Sequence, residues 1–196
     1  MRDFSGFVLA GGRSSRMGTD KAFLQLDDRT LLTRALDLLH RLTPEVRIVG
    51  PAAKFSAYGP VVEDIYADRG PLAGIHAALS SSATELNLIL AVDLPFVTEF
   101  LLRFIVERAR ATDAVVTVPH IAGGYQPLCA VYRRAFVSLA QAALESGKNK
   151  VDALFSAAAT CVLEEPELSR FAFDAGMFEN LNTPEALCRA AAGKPR

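Results

Sequence analysis

The stretch Leu9-Ala10-Gly11-Gly12-Arg13-Ser14-Ser15-Arg16-Met17-Gly18-Thr19-Asp20-Lys21 gathers the residue types that hold a polyphosphate. Adjacent glycines let the backbone approach a base or phosphate closely and present N–H groups to it. Ser14 and Ser15 add hydroxyl donors, and Arg13, Arg16 and Lys21 place three cations within nine residues. The spacing excludes two familiar phosphate loops. A Walker loop needs Gly-x-x-x-x-Gly-Lys-Ser/Thr, whereas Lys21 stands three residues beyond Gly18; a dinucleotide fingerprint needs Gly-x-Gly, whereas position 13 is Arg. On the glycines alone, a plain turn flanked by solvated arginines fits equally well.

Asp93 is the second residue of chemical interest. It follows the apolar run Leu86–Val92, so it is expected at the carboxyl edge of a strand, where the loop after the first strand also lies. A carboxylate beside a polyphosphate is repelled unless a divalent cation bridges them, and Mg²⁺ uses one or two carboxylates plus phosphate oxygens. Asp93 is therefore read as a metal ligand, or else as the N-cap of a helix opening near Pro95 and Thr98. The histidines His40, His76 and His120 have no spaced partner that would make a catalytic dyad.

The elements that must position these residues follow from periodicity. Apolar, β-branched runs at Phe7–Ala10, Arg47–Gly50, Leu86–Val92, Ala114–Pro119, Leu128–Tyr132 and Thr160–Leu163 predict strands. Between them, Thr30–Leu42 carries apolar residues at helical intervals, Thr98 can cap a helix through Arg110, a helix is expected from Ala73, and Pro184 suits the first turn of a last helix. The run Leu88–Val92 lacks polar alternation, as in a parallel sheet covered on both faces. The fold class is α/β: a single three-layer domain over residues 1–196 with a mostly parallel central sheet.

Composition narrows the partners. With 196 residues, 51% hydrophobic and 22% charged, the chain can bury a real core without staples. A formal net charge of −1 gives no global positive field for nucleic acid or anionic membrane, so neither is expected as a partner. Cys129, Cys161 and Cys188 match no disulfide framework or Cys-x-x-Cys metal pair. The N-terminus shows no signal-peptide pattern and no window suits a bilayer span, so a cytoplasmic location is expected.

Several motifs in order carry a resemblance. The string Leu-Ala-Gly-Gly-x-Ser-x-Arg-Met-Gly-x-Asp-Lys, then Asp64 followed by Gly70-Pro71-Leu72-Ala73-Gly74, then Asp93-Leu94-Pro95-Phe96, Gln126-Pro127-Leu128, and Asn180-Leu181-Asn182-Thr183-Pro184-Glu185 run along nearly the whole chain. In this series the chain resembles the molybdenum cofactor guanylyltransferases, the molybdopterin-guanine dinucleotide biosynthesis protein A family of the Rossmann-like nucleotidyltransferases. The resemblance implies transfer of GMP from GTP to the terminal phosphate of molybdopterin, with Mg²⁺ and release of pyrophosphate. Its alternatives are a relative that uses CTP or a sugar-phosphate acceptor, and a non-catalytic cofactor-binding adaptor.

The resemblance also distributes roles. Lys21, Arg16 and Asp93 are implied as catalytic, with Asp93 the metal ligand. Leu9, Ala10, Gly11, Gly12, Ser14, Lys21, Asp64, Gly70, Pro71, Leu72, Gly74 and Asp93 are implied to bind the nucleotide, with the Gly-Pro-Leu-Ala-Gly segment pointing to guanine. Asp64 reads equally as a turn residue. Gln126, Asn180 and Asn182 are implied to bind the acceptor, although Asn182 and Thr183 also suit a helix cap. Gly50 stands where relatives often place Asn. Cofactor-delivery proteins or apo-molybdoenzymes are the implied protein partners. Because the attacking phosphate is already an anion, no general base is needed.

Overall fold

The structure, a computed structural model, describes residues 4–11 and 20–181. Gly12, Ser14, Arg16, Asn182, the helix expected at Pro184 and Cys188 lie outside the described residues. In chain order the elements are β1 (Phe4–Leu9), a 3₁₀ turn (Lys21–Phe23), β2 (Gln25–Leu26), β3 (Arg29–Thr30), α1 (Leu31–His40), β4 (Val46–Val49), α2 (Ala52–Phe55), β5 (Val61–Val62) and α3 (Pro71–Ser81). They continue with β6 (Leu86–Ala91), α4 (Glu99–Arg110), β7 (Val116–Ile121), β8 (Gly124–Tyr125), β9 (Cys129–Arg133), α5 (Phe136–Glu145), β10 (Thr160–Glu164) and α6 (Glu165–Ser169).

One eight-stranded sheet runs in the order β10-β7-β9-β6-β1-β4-β5, with β8 paired to β7. The pairs β1–β4, β1–β6, β4–β5 and β7–β10 are parallel, whereas β9 runs antiparallel to both β6 and β7. The mostly parallel three-layer fold expected from sequence is present, with β9 as the reversed strand. Its reversal starts at a tight turn after β7, where Ala122 (φ 52°) and Gly123 (φ 73°) both take positive φ, the backbone of a two-residue hairpin.

Alternate residues of each strand enter different cores. Val8, Ile48, Leu88 and Leu90 pack with Leu32, Leu39, Leu101 and Ile105 from α1 and α4 on one face. Phe7, Leu9, Val49 and Ile89 pack with Leu72, Ile75, Ala140 and Leu144 from α3 and α5 on the other. This two-sided burial is why the central strands read as continuous apolar runs. Thr30 caps α1 by accepting from the Thr33 N–H (3.1 Å), and Thr98 caps α4 by accepting from the Leu101 N–H (3.3 Å).

Two local expectations are corrected. The helix expected from Ala73 begins at Pro71, whose fixed φ and missing N–H suit a first helical position, with Gly70 as its cap at φ 69°. The strand expected at Ala114–Pro119 runs instead from Val116 to Ile121, so His120 is part of β7, where it pairs through Nδ1 with the Glu164 carboxylate at 3.0 Å. Among the described residues no helix is long and apolar enough to cross a membrane.

Candidate active site

Strand order places the site. From β1 the chain moves to β4 and β5 on one side, then returns through α3 to β6 on the other side of β1. The connections leaving the carboxyl ends of β1 and β6 therefore run in opposite directions, opening the crevice in which open α/β sheets bind ligands. A cleft of about 700 Å³ lies here. Its lining includes Leu9, Ala10 and Gly11 at the end of β1, Val49, Gly50 and Pro51 at the end of β4, and Ala91, Val92 and Asp93 at the end of β6. Lys21, Glu63, Asp64, Gly70, Pro71 and Gly74 complete the walls.

At one end, Lys21 Nζ stands 3.6 Å from Asp93 Oδ2, with side chains 26% and 20% exposed. The pair is thus partly withdrawn from water, where a charge interaction outweighs that of an open surface pair. Asp93 does not cap α4; Thr98 does, which removes the helix-cap alternative. Lys21 opens a 3₁₀ turn whose cap is Asp20, with Oδ1 accepting from the Ala22 N–H at 3.2 Å. The other oxygen of Asp20 accepts from Lys54 Nζ at 2.8 Å, tying the base of the Lys21 turn to α2. Lys54 had no signal in the sequence, because its partner lies far away along the chain.

The other end is narrow and built from backbone. The N–H groups of Ala10 and Gly11 both donate to the Val49 carbonyl at 3.0 Å, holding the first loop against the end of β4. A Cβ on Gly11 would lie 3.4 Å from the Gly50 Cα. A Cβ on Gly50 would lie 2.8 Å from Phe55 Cε2 and 3.1 Å from the Gly11 nitrogen. The Phe55 ring occupies the space that a side chain at position 50 would need.

Gly74 forms the floor: a Cβ there would come within 3.4 Å of Leu9, 3.6 Å of Val49 and 3.7 Å of Asp64 Oδ1. Burial raises the Asp64 carboxyl above its ordinary range, as expected of an acid held in a cleft wall. Leu72, by contrast, is fully buried in the core beneath α3 and does not line the cleft.

Of the residues implied for the acceptor, Asn180 and Gln126 lie on the β6 side. The Leu181 N–H donates to the Asp93 carbonyl at 3.0 Å, so the exposed Asn180 flanks the end of β6. Gln126 begins the break between β8 and β9; its N–H donates to the Pro119 carbonyl at 2.9 Å, and its side chain does not line the cleft.

The donor set bears on metal binding. Among the described residues no three His, Cys, Asp or Glu side chains are grouped to hold an ion. Asp93, the cleft carboxylate beside Lys21, fits a Mg²⁺ that takes most of its ligands from phosphate and water.

Residues 6–161 match the MobA-like NTP transferase domain. The chain is 34% identical over 192 residues to a probable molybdenum cofactor guanylyltransferase of Pelotomaculum thermopropionicum, covering 97% of this chain and 93% of that protein. It is 33% identical to the molybdenum cofactor guanylyltransferase of Desulfosudis oleivorans, covering 96% and 94%. In fold it is similar to molybdopterin-guanine dinucleotide biosynthesis protein A from Archaeoglobus fulgidus, with a TM-score of 0.84 at 24% identity, covering 96% and 97% of the two chains. A switch-point cleft with a glycine loop, a lysine and a strand-end aspartate, together with this likeness over nearly its whole length, makes the chain a member of the MobA-like nucleotidyltransferase family.

Proposed function

We propose that this nucleotidyltransferase moves GMP from GTP to the terminal phosphate of molybdopterin, yielding the guanine dinucleotide form of the molybdenum cofactor and pyrophosphate. The carrying observation is the 3.6 Å approach of Lys21 to Asp93 at the end of β6, in a cleft whose wall includes the closely packed Gly11 and Gly50 backbones. The names of the relatives at 33–34% identity supply the substrates.

In this reading an oxygen of the acceptor phosphate attacks the α-phosphorus of GTP as the bond to the β-bridging oxygen breaks. Catalysis of this kind rests on positioning and charge stabilisation. Lys21 neutralises charge on the α-phosphoryl group and on departing pyrophosphate, and Arg16 grips phosphate oxygens through two parallel hydrogen bonds. Family members typically use a divalent metal. Asp93 would hold Mg²⁺, which supplies positive charge where phosphate oxygens meet the carboxylate.

The nucleotide set is Leu9, Ala10, Gly11, Gly12 and Ser14 on the first loop, with Asp64, Gly70, Pro71, Leu72 and Gly74 around α3. Leu72 would contribute only backbone, since its side chain is in the core. The Asp64 carboxylate can accept from the guanine edge or from ribose hydroxyls. Gln126, Asn180 and Asn182 face the acceptor in this scheme. Residues 1–196 act as one domain, and unpaired Cys129 and Cys161 fit a reducing, cytoplasmic setting.

Incubating the pure protein with molybdenum cofactor, Mg²⁺ and GTP should give the guanine dinucleotide product by mass, with one pyrophosphate per turnover. A clear preference for CTP would overturn the guanine assignment. GTP binding without pyrophosphate release would overturn catalysis itself.

A further inference from the structure

β8 and β9 pair with the same side of β7, through His120↔Tyr125 and Thr117↔Val131, so they form one strand broken at residues 126–128. β9 pairs with β6 up to Leu90↔Cys129, and the Ala91 N–H then donates to the Leu128 carbonyl at 2.8 Å. Beyond that bond residues 126–128 interrupt the pairing, and β8 resumes along the end of β7. Tyr125 thus stands at the same sheet edge as Asp93, on the side away from Gly11 and Gly50.

The Tyr125 ring is fixed and open. Its centroid lies 5.1 Å from the Phe155 ring at 89°, an edge-to-face contact, and 4.8 Å from the His120 ring at 47°. His120 is itself held by Glu164, and the hairpin turn is held by the Ala122 N–H donating to Glu165 at 2.9 Å. Tyr125 nevertheless remains 38% exposed. A single exposed aromatic needs no explanation on a surface. One braced on two sides, at the sheet edge that carries Asp93, is preorganised to stack a flat ring with little further ordering.

We propose that Tyr125, backed by Phe155 and His120, is the stacking platform for the bicyclic heteroaromatic ring of the acceptor. The inference rests on the acceptor being a pterin phosphate, as proposed above. Two substrates must reach one α-phosphorus, and the β1–β4 side is given to the nucleotide. The acceptor ring then belongs over β8 and β9, with its phosphate reaching back toward Lys21 and Asp93.

The test compares wild type with Tyr125→Ala, Tyr125→Leu and Tyr125→Phe at saturating GTP. Losing an aromatic stacking partner should raise KM for molybdenum cofactor about tenfold in the Ala and Leu variants, with kcat and GTP affinity within about twofold of wild type. Tyr125→Phe should behave as wild type. Leu keeps bulk against Phe155, so its thermal midpoint guards against a mere packing loss. A second readout needs no turnover: the chain has no tryptophan, so the fluorescence of pterin-6-carboxylate reports its binding directly. That affinity should fall by the same factor.

Unchanged pterin binding in Tyr125→Ala, or wild-type behaviour of Tyr125→Leu, would overturn the platform. Should the wild type transfer no GMP while pterin binding still depends on Tyr125, the proposed reaction fails and the platform stands.

Discussion

The ammonium of Lys21 stands 3.6 Å from the carboxylate of Asp93, joining the loop after β1 to the end of β6 across the switch point. Both side chains are half-buried, and neither belongs to a core cluster. Lys21→Ala and Asp93→Ala should therefore each lower kcat by about 10²–10³, the usual cost of removing one charge-stabilising group, with thermal midpoints close to wild type. Pyrophosphate release and a circular-dichroism melt check both halves. Wild-type turnover in either variant would remove that residue from the chemistry.

Lys54 holds Asp20 at 2.8 Å, and Asp20 caps the turn that begins with Lys21. Lys54 is about half exposed, so the pair should add at most about 1 kcal/mol to stability. Its effect should instead appear in the aim of Lys21. Lys54→Met is expected to lower kcat about three- to tenfold while leaving the melt within roughly 4 °C. Adding Asp20→Asn should cost little more, because the two residues act as one unit. Fully additive losses would show that they act separately.

Gly50 should tolerate no side chain. An alanine Cβ would press on Phe55 at 2.8 Å and on the Gly11 nitrogen at 3.1 Å, with φ at 156°. Overpacking of this kind costs about 1–3 kcal/mol, so the thermal midpoint of Gly50→Ala should drop by roughly 2–12 °C. Gly50→Asn should be worse and should gain no nucleotide affinity. A midpoint equal to wild type would mean that Phe55 moves aside freely.

His76 is buried on α3 against Tyr66, with Ser80 at 3.5 Å from Nε2 and no partner for Nδ1. Burial lowers its pKa below the ordinary value, and the nearby Glu145 only partly opposes this. The unfolded chain therefore takes up a proton near pH 6.5 that the folded chain resists, so stability should fall as pH drops below that value. His76→Leu should flatten this slope between about pH 7.5 and 5.5, as followed by thermal melts. An equally steep slope in the variant would place the titrating group elsewhere.

Much of the architecture was legible because long elements bury one pattern repeatedly. β1 and β6 declared themselves through the apolar runs at Phe7–Leu9 and Leu88–Ala91, and α1 by its helical spacing opened by the Thr30 cap. α5 carries a similar local signal, since Phe136, Ala140, Ala143 and Leu144 sit at helical intervals. β5 and β8 have two residues each, too few for any period to register. The reversal of β9 had a clue in Gly123-Gly124 after an apolar run, since glycines there permit a tight hairpin.

The sequence by itself determined which chemistry was possible: cations on one glycine-rich loop, an aspartate closing an apolar strand, and helical and extended segments in alternation. Those properties are local, written in residue type and spacing. Only the tertiary structure decided that Lys21 meets Asp93, that Lys54 reaches Asp20, that Leu72 turns into the core, and that Tyr125 is braced beside the end of β6. Each of these depends on the order in which strands pair. Residues distant along the chain come together when a parallel sheet buries both faces, and no local pattern encodes which strand ends become neighbours.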